Sequence, residues 1–341
     1  MLDANDKKLV TESLWKKIAE SGDTNIVGIG FGIAVKEGNT DLTRPWVVRF
    51  YVKQKRGGRH KFKITPEITV DIEPKYAASD GGKRKVTLLT DVTKVPTIEP
   101  AGRKLTIPGN GLVTSGIVLR WYKASGGATA NQTLRLGVLT VAHDFKGIDP
   151  NRMVTIESPN NLLQPITGKR AIQSDPAKVG IDACLVTVEV DEAIKAGLLT
   201  DPLASPLPIK QYADLEDDRD KTGESRQADR TVSFRVLGTV GNLPVKNVGT
   251  KIWHLLHVQG ARQAFVKGTS GSLFEVFDRS DIGLQAFPSA IQIGAENVNF
   301  AEAYAQSLET VIDWLKRELI LKLLYQQQTL VNSRIDVIAS F

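Results

Sequence analysis

Three polar residues of this sequence have the types that nucleophilic catalysis needs, and each lies beside a short apolar run. His143 ends the run LTVA after a predicted strand, where a scaffold can hold an imidazole at the edge of a cleft. Asp182 opens the apolar run ACLV, where a carboxylate tends to be buried and to need a partner such as a histidine N–H. Ser270 stands in GTSGS, whose glycines allow a tight turn that points backbone N–H groups at one spot. A base, an orienting carboxylate and a serine nucleophile are the groups that acyl transfer uses.

Each signal is weak alone, because a histidine at a strand end is more often structural and a Gly-x-Ser-Gly string is also an ordinary turn. The three together are more specific. Their order along the chain places His143 and Asp182 in one half of a β-rich region and Ser270 in the other.

The three strings resemble the signatures of the trypsin-like (chymotrypsin-fold) serine proteases, in which two β-barrels meet and the triad lies across their seam. LTVAH is similar to T-A-A-H, DACL to D-I-A-L, and GTSGS to G-D-S-G-G. The resemblance covers residues 108–317, with Tyr304 and a helix beginning near Leu308 similar to the closing strand and helix of that family.

The resemblance implies a serine endopeptidase that acts on a protein or peptide substrate, without a cofactor or a metal. Ser270 would attack the carbonyl, His143 would take and return its proton, and Asp182 would fix the imidazole tautomer. The N–H groups of Gly268 and Ser270 would form the oxyanion hole. Ala264 aligns with the floor of the substrate pocket, which implies a small or apolar P1 side chain.

Departures from the family pattern bear on regulation. Thr269 replaces the aspartate that pairs with a newly cleaved amino terminus in zymogen-activated members, and Ser272 and Leu273 replace a glycine and a proline. A protease without that activation device is expected to be restrained by tight substrate choice or by a partner. The alternative is a catalytically weak trypsin-like scaffold that binds protein or nucleic acid.

The elements around these residues predict a mainly β protein with a chymotrypsin-like double barrel. Short apolar or alternating runs succeed one another through residues 111–300, in halves at 111–200 and 229–300, which is typical of sandwiches and barrels. Residues 96–110 are rich in proline and glycine and are predicted to form a linker.

A small α+β domain is predicted at residues 1–95. Residues 4–21 have helical spacing, runs 25–35 and 46–53 form a hairpin, and 68–72 and 86–92 add strands. The unit resembles the segment before the protease domain in a bacterial and plant group of trypsin-like proteins.

The carboxy-terminal segment, residues 301–341, is predicted to be a helix and tail, because apolar residues recur at three and four without proline or glycine up to residue 340. Its apolar stripe either packs on the chain itself or serves self-association or a regulatory partner.

The composition excludes a disordered, a collagen-like and a disulfide-stapled protein. The 341 residues carry 44 Lys and Arg against 38 Asp and Glu, and one cysteine. Cys184 can form no internal disulfide and is expected to be a core thiol, which favours a reducing, cytoplasmic location. No apolar run is long enough to cross a membrane. A basic cluster at residues 53–63 is either a solvated loop or a binding patch, and nucleic acid is the less expected partner. His254 and His257 lack acidic or cysteine neighbours, so a metal site is not expected there.

Overall fold

The computed structural model describes most of the chain. The described residues are 4–32, 34–36, 39–41, 47–55, 61–72, 84–94, 98–99, 105–107, 111–112, 116–125, 132–156, 165–218, 221–227, 230–246, 248–265, 269–280, 283–296 and 299–340. Within these residues, no helix is both long and apolar enough to span a bilayer. The centre of the basic cluster at 53–63, which includes Arg56, Arg59 and His60, lies outside them.

The amino-terminal unit is a helix packed on a sheet. Its elements are α1 (Ala4–Ser21), β1 (Ile26–Gly32), β2 (Ala34–Lys36), β3 (Asn39–Asp41), β4 (Val47–Val52), β5 (Glu67–Ile72) and β6 (Arg84–Lys94). Strand β1 pairs antiparallel with β4, which confirms the predicted hairpin partners, and β4 pairs parallel with β6. Apolar residues at helical spacing on α1, Val10, Leu14 and Ile18, are buried against the sheet.

The middle of the chain forms the first β half. Its elements are β7 (Ile98–Glu99), β8 (Leu105–Ile107), β9 (Gly111–Leu112), β10 (Ile117–Ser125), β11 (Gln132–Thr140), β12 (Met153–Ile156), β13 (Ile166–Gln173), α2 (Pro176–Val179), β14 (Cys184–Val188) and α3 (Val190–Lys195). All but β7 of these strands join an antiparallel sheet in the order β10, β11, β14, β13, β12, β8, β9.

The second β half is a closed barrel. Its elements are α4 (Tyr212–Asp217), β15 (Thr222–Arg226), β16 (Thr231–Val245), β17 (Gly249–Gly260), β18 (Leu273–Ser280), β19 (Gly283–Glu296) and β20 (Glu302–Ser307). The order β15, β18, β19, β20, β17, β16 returns to β15 through a sixth antiparallel pairing. The segment between the two predicted β halves thus contributes a helix, α4, and a barrel strand, β15.

The barrel is continuous with the amino-terminal sheet, because β1 also pairs with β16. The contact is close: a Cβ on Gly30 would lie 2.2 Å from the carbonyl oxygen of Thr239. Glycine at this position is therefore required for the two units to share one sheet.

The carboxy-terminal helix begins where the sequence predicted, but the tail that follows it is a strand. Helix α5 (Leu308–Tyr325) is preceded by β20, which contains Tyr304, and is followed by β21 (Gln328–Ser340), which pairs with β10. The β-branched residues after position 328 favour a strand, and Gln327 turns the chain with a φ of +57°. The apolar stripe of α5 is buried on the chain's own core.

The predicted fold class is confirmed in outline: the protein is mainly β, with two β units, a preceding α+β unit and a carboxy-terminal helix. One apolar cluster runs through both β units and includes Leu139 and Leu185 from the first and Leu273 and Ile293 from the second. The two units therefore share a core at their seam.

Candidate active site

His143 stands in the first turn after β11. A short 3-10 turn, His143–Phe145, follows the strand, and the buried ring of Phe145 anchors it in the core. The Phe145 N–H donates to the Ala142 carbonyl at 3.0 Å. The imidazole is therefore held by a rigid strand end, as the sequence predicted.

Asp182 orients the imidazole. Its Oδ2 lies 2.5 Å from His143 Nδ1, and its Oδ1 accepts the backbone N–H groups of Ala142 at 2.8 Å and His143 at 2.9 Å. The carboxylate is buried and both oxygens are engaged. This arrangement fixes the ring and assigns the proton of the neutral imidazole to Nδ1, which leaves Nε2 as the basic atom.

Gln306 of β20 ties this pair to the second β unit. Its Oε1 accepts the Asp182 N–H at 2.9 Å, and its Nε2 donates to the carbonyls of Gly180 and Trp253, each at 2.9 Å. The buried amide thus makes two bonds across the seam, to Asp182 and Gly180, and one within the second barrel, to Trp253. Sequence reasoning missed this residue, since nothing in its neighbourhood along the chain marks it.

The electrostatics of His143 are set by two carboxylates. Burial alone would lower the pKa of its imidazole, but Asp182 and the adjacent Asp144 raise this pKa to about 9. Asp144 Oδ1 lies 3.6 Å from Nε2, on the side of the ring opposite Asp182. The Nε2 atom is buried and has no hydrogen-bond partner among the residues that the structure describes. Asp144 was also missed, although it directly follows His143.

Ser270 lies in a tight turn against β19. Gly271 has a φ of +88°, a value that favours glycine, and its N–H donates to the Gln292 carbonyl at 2.8 Å. The Ser272 N–H donates to the Thr269 carbonyl at 3.1 Å and closes the turn. The Ser270 side chain is buried, and its hydroxyl donates to the Ile293 carbonyl at 3.3 Å.

The structure thus pairs His143 with Asp182, but it does not join Ser270 to His143 by a hydrogen bond. The turn that carries Ser270 lies at the same seam. A Cβ on Gly116, which precedes β10, would lie 2.7 Å from the Leu273 Cβ, three residues after Ser270. Close backbone approach at Gly116 therefore brings the serine turn against the first β unit.

Two further residues were predicted to belong to the site, Gly268 in the oxyanion hole and Ala264 in the substrate pocket. Gly268, the first predicted oxyanion donor, lies outside the described residues. Ala264 is buried in the core of the second barrel beside Phe265, and its carbonyl accepts from Gln227 at 2.9 Å. Its role as a pocket floor stays a prediction.

Cys184 packs in the core near Asp182, and burial raises the pKa of its thiol to about 12. A thiol with this pKa is protonated at neutral pH and is a poor nucleophile. Among the described residues, no group of histidine, cysteine or acidic side chains could hold a metal ion.

Comparisons with known proteins find similarity in fold only. No protein-family model and no curated protein matches the sequence. Among solved structures, the chain is similar to the active form of the Rv3671c protease from M. tuberculosis, with 13% identity, a TM-score of 0.35, and coverage of 65% of this chain and 90% of that one.

Two further proteases give comparable values. Thermobifida fusca Protease A is 10% identical with a TM-score of 0.34, over 68% of this chain and 98% of that one. The protease domain of MamO from Magnetospirillum magneticum is 14% identical with a TM-score of 0.33, over 58% and 95%. These similarities are too distant to transfer any property to this chain.

Proposed function

We propose that this chain is a serine endopeptidase. The observation that carries the proposal is the His143–Asp182 pair: a buried carboxylate with every oxygen engaged fixes Nδ1 of an imidazole whose Nε2 is left for proton transfer. A structural histidine would be expected to use both ring nitrogens. The predicted nucleophile stands on a tight turn at the same seam.

In the proposed reaction, the Ser270 hydroxyl leaves the Ile293 carbonyl and gives its proton to His143 Nε2 as its oxygen attacks the scissile carbonyl. Asp182 stabilises the imidazolium that forms. The imidazolium then protonates the leaving amine, and a water molecule repeats the sequence to release the acid. The N–H groups of Gly268 and Ser270 are proposed to bind the oxyanion.

The substrate is proposed to be a protein or peptide with a small or apolar P1 residue, because Ala264 supplies no acidic group to a pocket. A partner or the substrate itself is proposed to bring Ser270 into hydrogen-bond contact with His143, since His143 Nε2 has no hydrogen bond within the described residues. We propose a cytoplasmic location because a chain with one cysteine can form no internal disulfide and could fold in a reducing compartment.

The rival function is a catalytically weak scaffold that binds protein or nucleic acid. The observations that favour it are the burial of Ser270, whose hydroxyl donates to the Ile293 carbonyl, and the lack of a hydrogen bond at His143 Nε2 within the described residues. A scaffold would keep the fold without turnover.

Peptide hydrolysis separates the two. We expect the wild type to cleave after Ala, Val, Leu or Phe faster than after Lys or Arg. We expect Ser270→Ala to lose turnover by roughly a millionfold, as for loss of a triad serine. Ser272→Ala is the matched control, because Ser272 is equally buried two residues further along the same turn. Equal loss in both variants, or no cleavage by the wild type with any peptide, would favour the scaffold.

A further inference from the structure

A cavity of about 1160 Å³ lies between the amino-terminal unit and the second barrel. It is bounded by α1, β1, α4, β16 and β17, and none of His143, Asp182 and Ser270 lines it. Its volume is slightly above the usual range of about 300–1,000 Å³ for small-molecule binding sites. The cavity is therefore a second concave site, separate from the candidate triad.

The long walls of the cavity are apolar and aromatic. Trp15 of α1, Ile29 and Phe31 of β1, and Trp253 of β17 line them, and 39% of Trp253 is exposed. An exposed indole in a concave site gains from being covered by an apolar ligand.

One end of the cavity is polar and carries a carboxylate. Tyr212, Glu216 and Thr239 line it, and the Thr239 hydroxyl forms hydrogen bonds with Tyr212 and Glu216. The Glu216 carboxylate is only loosely paired with a cation, since Lys7 lies 3.8 Å from it and 2.7 Å from Asp217. An ammonium group placed beside Glu216 would therefore gain a charge-assisted hydrogen bond.

The opposite end carries two lysines. Lys251 and Trp253 flank Ile252 on β17. Because Ile252 pairs with Leu243 of β16, Lys251 lies near Pro244, the residue that follows Leu243. Lys53 directly follows Val52, the last residue of β4. Because Val52 pairs with Ile26, Lys53 lies near the start of β1. Both lysines line the cavity, and no described carboxylate lies within 4 Å of either.

The two ends are separated by a wall of β16. From Thr239 to Pro244, a strand that rises about 3.3 Å per residue covers about 16 Å. A ligand that satisfies both ends must be about this long, apolar in the middle, cationic at the Glu216 end and anionic at the lysine end.

We propose that this cavity binds a short extended apolar peptide with free termini. At the same rise per residue, about five residues cover the distance. The amino terminus lies at Glu216 and Thr239, the carboxylate lies between Lys53 and Lys251, and the apolar side chains contact Trp15 and Trp253. A fatty acid has no cationic group to pair with Glu216, and an alkylamine has no anionic group to pair with Lys53 and Lys251.

The test uses the full-length Ser270→Ala protein, so that the peptide is not cleaved, and the peptide VAVAV. Binding is followed by calorimetry and by tryptophan fluorescence. Dodecanoate, which has only an anionic group, and dodecylamine, which has only a cationic group, are measured for comparison. We expect saturable binding of VAVAV. Acetylation of its amino terminus or amidation of its carboxylate should each weaken binding by about tenfold, the change for one lost charge-assisted contact.

Side-chain variants then assign each end. Lys251→Ala should weaken binding of the free-acid peptide and leave the amidated one unaffected, and Glu216→Gln should weaken binding of the free-amine peptide and leave the acetylated one unaffected. Lys195→Ala, on an exposed lysine of α3, is the control. Equal affinity for all four peptide forms, tighter binding of dodecanoate or dodecylamine than of VAVAV, or no saturable binding would overturn the proposal.

Discussion

At the scale of residues, the carboxylate of Asp182 is the group on which the site most depends. It accepts three hydrogen bonds while buried, from the backbone of Ala142 and His143 and from the imidazole. Replacing Asp182 by a neutral residue leaves these three N–H groups without a carboxylate acceptor. It also allows the neutral imidazole to carry its proton on Nε2, where it can no longer act as a base.

We therefore expect Asp182→Asn to slow peptide cleavage by about 10⁴-fold while the fold is retained. The free energy of unfolding should fall by about 2 kcal/mol, because a buried charge-assisted acceptor is lost. The His143 pKa is raised to about 9 from its ordinary 6.5, so the stabilisation is complete below pH 6.5 and is lost as pH rises through 9. Denaturation at pH 6 and at pH 9.5 measures this, and an equal deficit at both would contradict the assignment.

Asp144 is the second carboxylate near His143, and it lies 3.6 Å from Nε2, the nitrogen that the proposed reaction uses as its base. Because Asp144 raises the pKa of His143, Asp144→Asn should move the pH at which the imidazole becomes a base to lower values. The rate of reaction with a fluorophosphonate probe, followed against pH, should show its rising limb near 9 in the wild type and lower in the variant. Asp149→Asn, an exposed acid of the same loop, is the control, and coincident limbs for the wild type and Asp144→Asn would refute the role.

At the scale of elements, the carboxy-terminal segment shows what a sequence pattern can and cannot predict. The spacing of Leu308, Leu315 and Leu319 correctly indicated a helix. The helix stops at Tyr325 because the following chain pairs with β10, and no local pattern along the sequence contains that partner. The strings around His143, Asp182 and Ser270 were informative because tight turns and strand ends are local, whereas Gln306 reaches the site only through sheet pairing.

The pairing of β21 with β10 predicts how a substitution in β21 changes the free energy of unfolding. Ile335 is buried opposite Trp121 of β10. Ile335→Ala should therefore lower the free energy of unfolding by about 2–4 kcal/mol, from lost burial and the cavity left behind. Urea denaturation would show this, with exposed Thr329→Ala as a control within about 0.5 kcal/mol of the wild type. A loss for Ile335→Ala no larger than that of the control would contradict the strand.

At the scale of the whole molecule, a buried polar network joins the amino-terminal sheet to the second barrel. Arg49 of β4 is 3.2 Å from Asp91 of β6 and 3.4 Å from His257 of β17. His257 in turn contacts Glu302 of β20 at 2.8 Å and stacks on Tyr304. The amino-terminal unit is thus bonded to the strands that frame the site.

Arg49→Met should accordingly lower the free energy of unfolding of the whole chain by about 3–5 kcal/mol, because it leaves buried partners without their charge. Arg84→Met removes another Arg–Asp pair of the same unit, with Asp6, but Arg84 is 55% exposed and its loss should cost under about 1 kcal/mol. Thermal unfolding of both variants tests this. Similar small losses, or a separate early transition confined to the amino-terminal unit, would contradict a network that binds the units together.

If His143, Asp182 and Ser270 act as one triad, as we propose, a fluorophosphonate will form a covalent adduct with Ser270 that depends on His143. Mass spectrometry of the labelled, digested protein should find the phosphonate on Ser270, and His143→Ala should abolish labelling while Ser272→Ala retains it. An adduct on another serine, or labelling of Ser270 that persists in His143→Ala, would contradict the claim.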